Sequence, residues 1–428
     1  MFDCGADVIV PGQTAVTLPP SSVSTSISAD QSVLVEPAVK AFQLGDRAGF
    51  ETSYEAALKQ SNALPAAPIF LAKLQIDSGR IGDALATLEQ YAVVSSDDPE
   101  TYVALGEIAL RANRVTDAWL QLNHAGELMK QVKVRESRRT FVMPGLVELR
   151  AEVAERRQQW DEAEELFGRL IELLPDSSLP TWRLGRTKVL RGEIGKGVEL
   201  MTSARQKDRK LASPELMTAL ILVEQKKDTE AEKWFQAAIR KDKEDPIGVN
   251  AYLKWLLLND RDEDARGLID KLSAEVLANR NVQVMQGIAA RYAGDLVKAE
   301  SVFTALSQAA PEDLEVADQL ALVLVESADE GKRARAAQIS ESNLRRLPNS
   351  ETTIATAAWV QFKLGSIDVA DQLLSKLAAQ ISLSPQTAFY VSKLLKANGK
   401  SDDAKKVLEA AISSPGIFPD RKRARKSL

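Results

Sequence analysis

The chain has 428 residues, of which 45% are hydrophobic, 27% charged and 5% aromatic, with a formal net charge of −5. That length is enough for about three ordinary domains unless an internal repeat organises it, and the scarcity of aromatics points to helices packed through Ala and Leu. The acidic balance offers no field to draw in nucleic acid or an anionic membrane, and a single cysteine (Cys4) with a single histidine (His124) cannot build a disulfide, a CxxC redox pair or a Cys/His zinc cage.

Residues 1–33 contain no Lys or Arg and hold Pro11, Pro19 and Pro20 among many Ser and Thr, so they are expected to form a disordered or extended arm. No secretory n-region, transit peptide or long apolar span is visible. A cytoplasmic protein is therefore the expectation, or a periplasmic or envelope-associated one if an export signal lies upstream. From Leu34 to Asn62 comes an irregular helical hairpin, in which Pro37 shortens the first helix and Phe50 stands where a small residue is expected.

Beyond it a period takes over. Small residues fall at Ala84, Ala118, Ala163, Gly197, Ala231, Ala265, Ala299, Ala336, Ala370 and Ala404, with spacings of 34, 45, 34, 34, 34, 34, 37, 34 and 34. A second small residue lies twelve positions upstream in most units, as at Gly106, Gly185, Ala219 and Gly287, and a large apolar residue lies four downstream, as at Leu122, Phe167, Phe235 and Phe303. Two antiparallel helices approach closely only where facing side chains are small, and the large residue one turn on fills the remaining space. Between the two helices sit Gly45, Gly79, Asn113, Gly192, Asp260, Gly294, Gly365 and Gly399, expected to carry positive φ. Asp98-Pro99, Ser213-Pro214, Asp245-Pro246 and Ser384-Pro385 read as N-caps with first-turn prolines, and from 69 to 413 no proline is expected inside a helix.

The set Tyr102, Leu105, Gly106, Ala109, Ala118, Leu122 and Ala125, and the set Ala151, Ala154, Trp160, Ala163, Phe167 and Pro175, resemble the tetratricopeptide repeat family. The resemblance runs from about 34 to 415. It implies an all-α fold, a right-handed α-solenoid or superhelix of ten to eleven antiparallel helix-turn-helix repeats, whose first helices line a concave groove for partner segments. On those helices the candidate groove residues are Glu107, Glu148, Glu152 and Glu155 early, with Trp182 and Arg186 following. Trp359, Phe362, Lys363, Phe389, Lys393 and Lys396 lie late, so the groove is expected to be acidic first and basic last. Each Trp also has an ordinary inter-helix packing reading.

Two insertions break the period: three residues around 327–332 and eleven within 131–143, the latter carrying Lys133, Arg135, Arg138 and Arg139 as a helical extension or a surface loop. The segment 416–428 is a short basic tail, with Arg421, Lys422, Arg423, Arg425 and Lys426, expected to be a solvated end.

No phosphate-binding glycine motif occurs, and carboxylate runs such as Asp161, Glu162, Glu164 and Glu165 read as a solvated helix start. No catalytic residue, metal or cofactor is expected. The expectation is a non-catalytic scaffold for protein partners, bacterial in style. Its alternatives are an envelope-associated adaptor of an export or polysaccharide-secretion assembly and, from another class, an RNA-binding helical repeat, which the acidic balance disfavours.

Overall fold

The computed structural model describes residues 29–131, 136–377 and 383–428, and among these there are α-helices and no strand. Of the expected arm from 1 to 33, residues 1–28, with Cys4, lie outside the described residues, as do Lys133 and Arg135 of the insert, whereas 29–33 are helical and open the first hairpin. The chain divides into two compact units, the first ending at Trp234 and the second beginning at Phe235.

In unit 1 the helices pair as α1 (Ala29–Gln43) with α2 (Arg47–Gln60), α3 (Ala67–Asp77) with α4 (Ile81–Val94), and α5 (Pro99–Arg111) with α6 (Val115–Gln131). Then α7 (Glu136–Arg156) pairs with α8 (Trp160–Leu173) and α9 (Leu179–Arg191) with α10 (Ile194–Lys207), against which α11 (Pro214–Glu224) packs. The division between the units falls inside α12 (Asp228–Lys241).

Unit 2 continues with α13 (Pro246–Leu258), α14 (Asp262–Ile269) and the single turn α15 (Ala274–Leu277), then α16 (Arg280–Ala293) against α17 (Leu296–Ala309). It closes with α18 (Leu314–Leu324) against α19 (Glu330–Arg346), α20 (Glu351–Lys363) against α21 (Ile367–Ser375), α22 (Pro385–Ala397) against α23 (Ser401–Ser413), and the short α24 (Arg421–Arg425).

The small-then-large anchors make the hairpins. Ala84, Ala118, Ala163, Ala231, Ala265, Ala299, Ala336 and Ala370 are fully buried. A Cβ at Gly287 would sit 2.5 Å from the Phe303 ring, and one at Gly106 2.6 Å from Leu122, so the large residue occupies the volume that the small one vacates. Burying Phe303 in this way contributes roughly 1.5–3 kcal/mol. In the irregular first hairpin the logic is inverted: Phe50 and Tyr54 stack with Phe70 of the next hairpin to fill the wider gap.

All eight expected turn positions have positive φ, from 57° at Asn113 and Asp260 to 99° at Gly192. Gln158 and Lys226 do so as well, with no glycine or asparagine to announce it. The junction caps also form: Asp98, Ser213, Asp245 and Ser384 accept from Glu100, Leu216, Ile247 and Thr387 backbone N–H groups, each ahead of a first-turn proline.

Two expectations about prolines fail in unit 1. Pro37 does not shorten the first helix, since α1 runs through it from Ala29 to Gln43. Pro144 lies inside α7, because residues 136–143 of the insert are helical and extend that helix toward its N-terminus. What holds the extension is Arg138, 4% exposed, whose Nε donates to Glu100 Oε1 at 2.8 Å and whose Nη1 donates to the Ala63 carbonyl at 2.8 Å. Arg139 donates to the Met129 carbonyl. These two cations are thus internal ties between hairpins.

Candidate partner-binding surfaces

The early acidic residues of unit 1 form ion pairs within the fold. Glu107 pairs with Arg111, and Glu152 with Arg156 at 2.7 Å. Buried Arg183 on α9 reaches back to α7, placing Nη1 at 3.3 Å from Glu148 and Nη2 at 3.2 Å from Glu155. Arg186 adds a contact to Glu155 at 2.9 Å, and Thr187 donates its hydroxyl to the same carboxylate. An acidic groove was expected here; instead α7 and α9 are joined by a charge network that the fold itself satisfies. Arg183 was missed because its partners lie 28 and 35 residues upstream, a full repeat away.

Trp182 is 1% exposed and its indole N–H donates to the Ala212 carbonyl, so its packing reading describes it: it joins α9 to the segment leading into α11.

Unit 2 brings the late candidates together. Trp359, 3% exposed, stacks on Tyr390 with ring centroids 4.4 Å apart and lies 5.8 Å from Phe389, with the Phe362 ring stacked 5.4 Å away. Its indole donates to Glu326 Oε1 at 3.2 Å, and Lys363 donates to Oε2 of the same carboxylate at 3.0 Å. Lys393 lies over the Phe389 ring at 5.2 Å. Burial lowers the pKa of its amine, and Arg423 and Lys396 add to that shift. Lys396 is exposed one turn further along α22.

Against this cluster lies the basic segment that the sequence reading leaves in solvent. Phe418 is fully buried, 5.6 Å from Phe389, and its backbone N–H donates to the Tyr292 hydroxyl at 2.7 Å while that hydroxyl donates to the Leu257 carbonyl at 3.0 Å. Arg421 is 5% exposed; it ties the segment to the end of α23 by donating to the carbonyls of Ile412 and Ser414, donates to Gly416 as well, and its Nε lies 3.0 Å from Asp260. Lys422 pairs with Asp262 at 2.8 Å and Arg425 with Asp260 at 3.2 Å. Arg423 lies 3.6 Å from Glu326, Asp420 accepts from Gln386, and Lys393 donates to Ser427.

The solvated-end expectation is therefore corrected: acidic residues on the α13–α14 turn and after α18 hold the segment by charge, and an aromatic pocket holds Phe418. Periodicity gave no warning, since Asp262 and Lys422 are 160 residues apart. Asp260 showed itself only as a turn residue, and the complementary signs were the one available signal.

Among the described residues no group of His, Cys, Asp and Glu is arranged to hold a metal ion, and no helix is long and apolar enough to cross a membrane. His124 is exposed and meets Tyr102 edge-on at 4.4 Å.

Residues 71–123 match the tetratricopeptide repeat family, and the same small-then-large anchors recur at the repeat interval through both units. Among curated proteins none matches it. Similar solved structures include YrrB, a tetratricopeptide-repeat protein with an unusual peptide-binding site, at 14% identity over 46% of this chain and 97% of that one, with a TM-score of 0.35. PilW, a type IV pilus biogenesis factor, is 16% identical over 50% of this chain and 94% of its own, with a TM-score of 0.35. Yeast Tom70 is 12% identical over 93% and 94%, with a TM-score of 0.36. Likenesses of this size carry no argument about partners.

Proposed function

We propose that the chain is a non-catalytic scaffold that holds segments of protein partners against the first helices of its repeats. The tetratricopeptide fold supports a protein-interaction role in general. The observation that supports the finer reading is the seat of residues 416–428 in unit 2, where first-helix side chains from α16 and α22, with neighbouring carboxylates, already hold a stretch of polypeptide by an aromatic anchor and charged pairs. A buried aromatic surrounded by half-exposed polar contacts is the usual anatomy of a peptide interface.

The test is capture of partners by the purified full chain, followed by affinity measurements with each purified partner. Lys396→Glu, at an exposed position on α22, is expected to weaken binding several-fold with melting unchanged, because exposed charges act mainly on association and register. Partner affinity indifferent to substitutions on the first helices of both units would end the reading. So would a turnover activity of the pure chain that a single substitution abolishes.

A further inference from the structure

The seat of residues 416–428 resembles a bound ligand more than a core element. Its two apolar anchors, Phe418 and Ala424, are fully buried, but the charged pairs around them are open to solvent: Lys422, Arg423 and Arg425 keep 56%, 48% and 54% of their side-chain surface exposed. The carboxylates facing them are more sheltered, Asp262 being buried, but cations this exposed keep much of their hydration and their pairing is screened by salt. Arg421 anchors the start of the segment, donating to its own Gly416 carbonyl and back to the Ile412 and Ser414 carbonyls at the end of α23. Around it, Asp260, Asp262 and Glu326 supply acidic partners, the Tyr292 hydroxyl accepts from the Phe418 backbone N–H, and the Phe389 ring packs on the Phe418 ring.

We propose, building on the scaffold reading, that this face of unit 2 is a recognition site for a polypeptide segment bearing a phenylalanine followed within one helical turn by an Arg/Lys cluster. Residues 416–428 are its tethered occupant, and a partner protein carrying a segment of the same chemistry gains the site by displacing them. The charge complementarity selects a basic partner, and the Phe389 ring packed on Phe418 selects an aromatic one. The tether begins at the end of α23, so the occupant acts at an effective concentration in the millimolar range. A partner therefore binds only when its own affinity, or its local concentration, exceeds that competition.

The probe is a labelled synthetic peptide with the sequence of residues 415–428, titrated into the full chain at low salt. The parent is expected to bind it weakly, and the full-length Phe418→Ala/Lys422→Glu/Arg425→Glu variant, whose own segment is loosened, about tenfold more tightly or better. Adding Asp260→Lys and Asp262→Lys to that variant should remove the binding, and a peptide carrying Phe418→Ala should not bind. A loosened variant that stays helical, exposes Arg421–Lys426 to trypsin and still ignores the peptide overturns the proposal.

If the loosened variant unfolds, hydrogen exchange on the parent decides. Millimolar peptide should speed exchange of the Phe418–Ala424 amides, and unchanged rates overturn the proposal. Concentration-dependent dimers of the parent with exchanged segments would make a second copy the occupant and overturn the partner reading. Loss of peptide binding in the Asp260/Asp262 variant while captured partners still bind would sink this site and spare the scaffold. Tight peptide binding with no partner retained by any variant would do the reverse.

Discussion

Asp318 shows how one buried side chain can set a pH dependence for the fold. It sits on α18 at 5% exposure, accepting from Asn343 Nδ2 at 2.8 Å and from the Thr353 hydroxyl at 3.0 Å. Burial raises its pKa to about 6 even though both hydrogen bonds favour the charged form. The native value therefore lies above the unfolded one, near 3.9, and the protonated form is the one the fold prefers. The associated stability is complete below about pH 4 and is lost as pH rises through 6, by roughly 3 kcal/mol in total. Asp318→Asn removes the titration. Melting of both proteins between pH 4 and 8 should show the variant gaining on the parent from pH 4 to 6 and holding a constant lead above; parallel curves would show that Asp318 is not the titrating group.

At the scale of elements, α7 shows what a helix can absorb when it is tied at both ends. Its interior proline removes one backbone donor, a defect of about 3 kcal/mol in an isolated helix. The Arg138–Glu100 pair bridges α7 to α5, and the network from Glu148 and Glu155 to Arg183 bridges it to α9. Burial pushes the Glu100 carboxyl up against the pull of Arg138, so removing the guanidinium strands a costly group. Arg138→Met should destabilise by about 3–5 kcal/mol, and adding Glu100→Gln should restore a large part of that loss. Urea unfolding of the two single variants and the double variant checks this, and simple additivity would count against the pair. This helix also marks how far the sequence could be read. The anchors at Ala151, Ala163 and Phe167, the turns and the capped prolines were legible because each is a local rule repeated at a fixed interval. Arg138 was not, since its partners lie 38 and 75 residues away. The late groove candidates from Trp359 to Lys393 were found through their side-chain types, but the carboxylates facing them were hidden because charge signs alone do not give pairing across repeats.

For the whole molecule, a stack of hairpins is held by neighbours in sequence, and each unit is accordingly expected to gain stability repeat by repeat. Residues 416–428 depart from that rule, since Phe418 and Lys422 touch groups 126 and 160 residues upstream. The consequence is kinetic. Contacts of such long span cannot form until the helices from α13 to α23 are stacked, because until then their ends are unplaced and closing the loop has an entropic cost. The segment therefore docks after the main folding barrier, and its contacts are absent from the transition state. Substitutions of that kind leave the folding rate alone and act on unfolding. Phe418→Ala should keep the folding limb of a denaturant chevron within about twofold of the parent and raise the unfolding limb by about tenfold or more, whereas a slowed folding limb would mean that docking helps to nucleate unit 2. A late, tethered contact acts as a latch on the native state: the fraction of time for which the segment is released sets how fast α13 to α23 come apart.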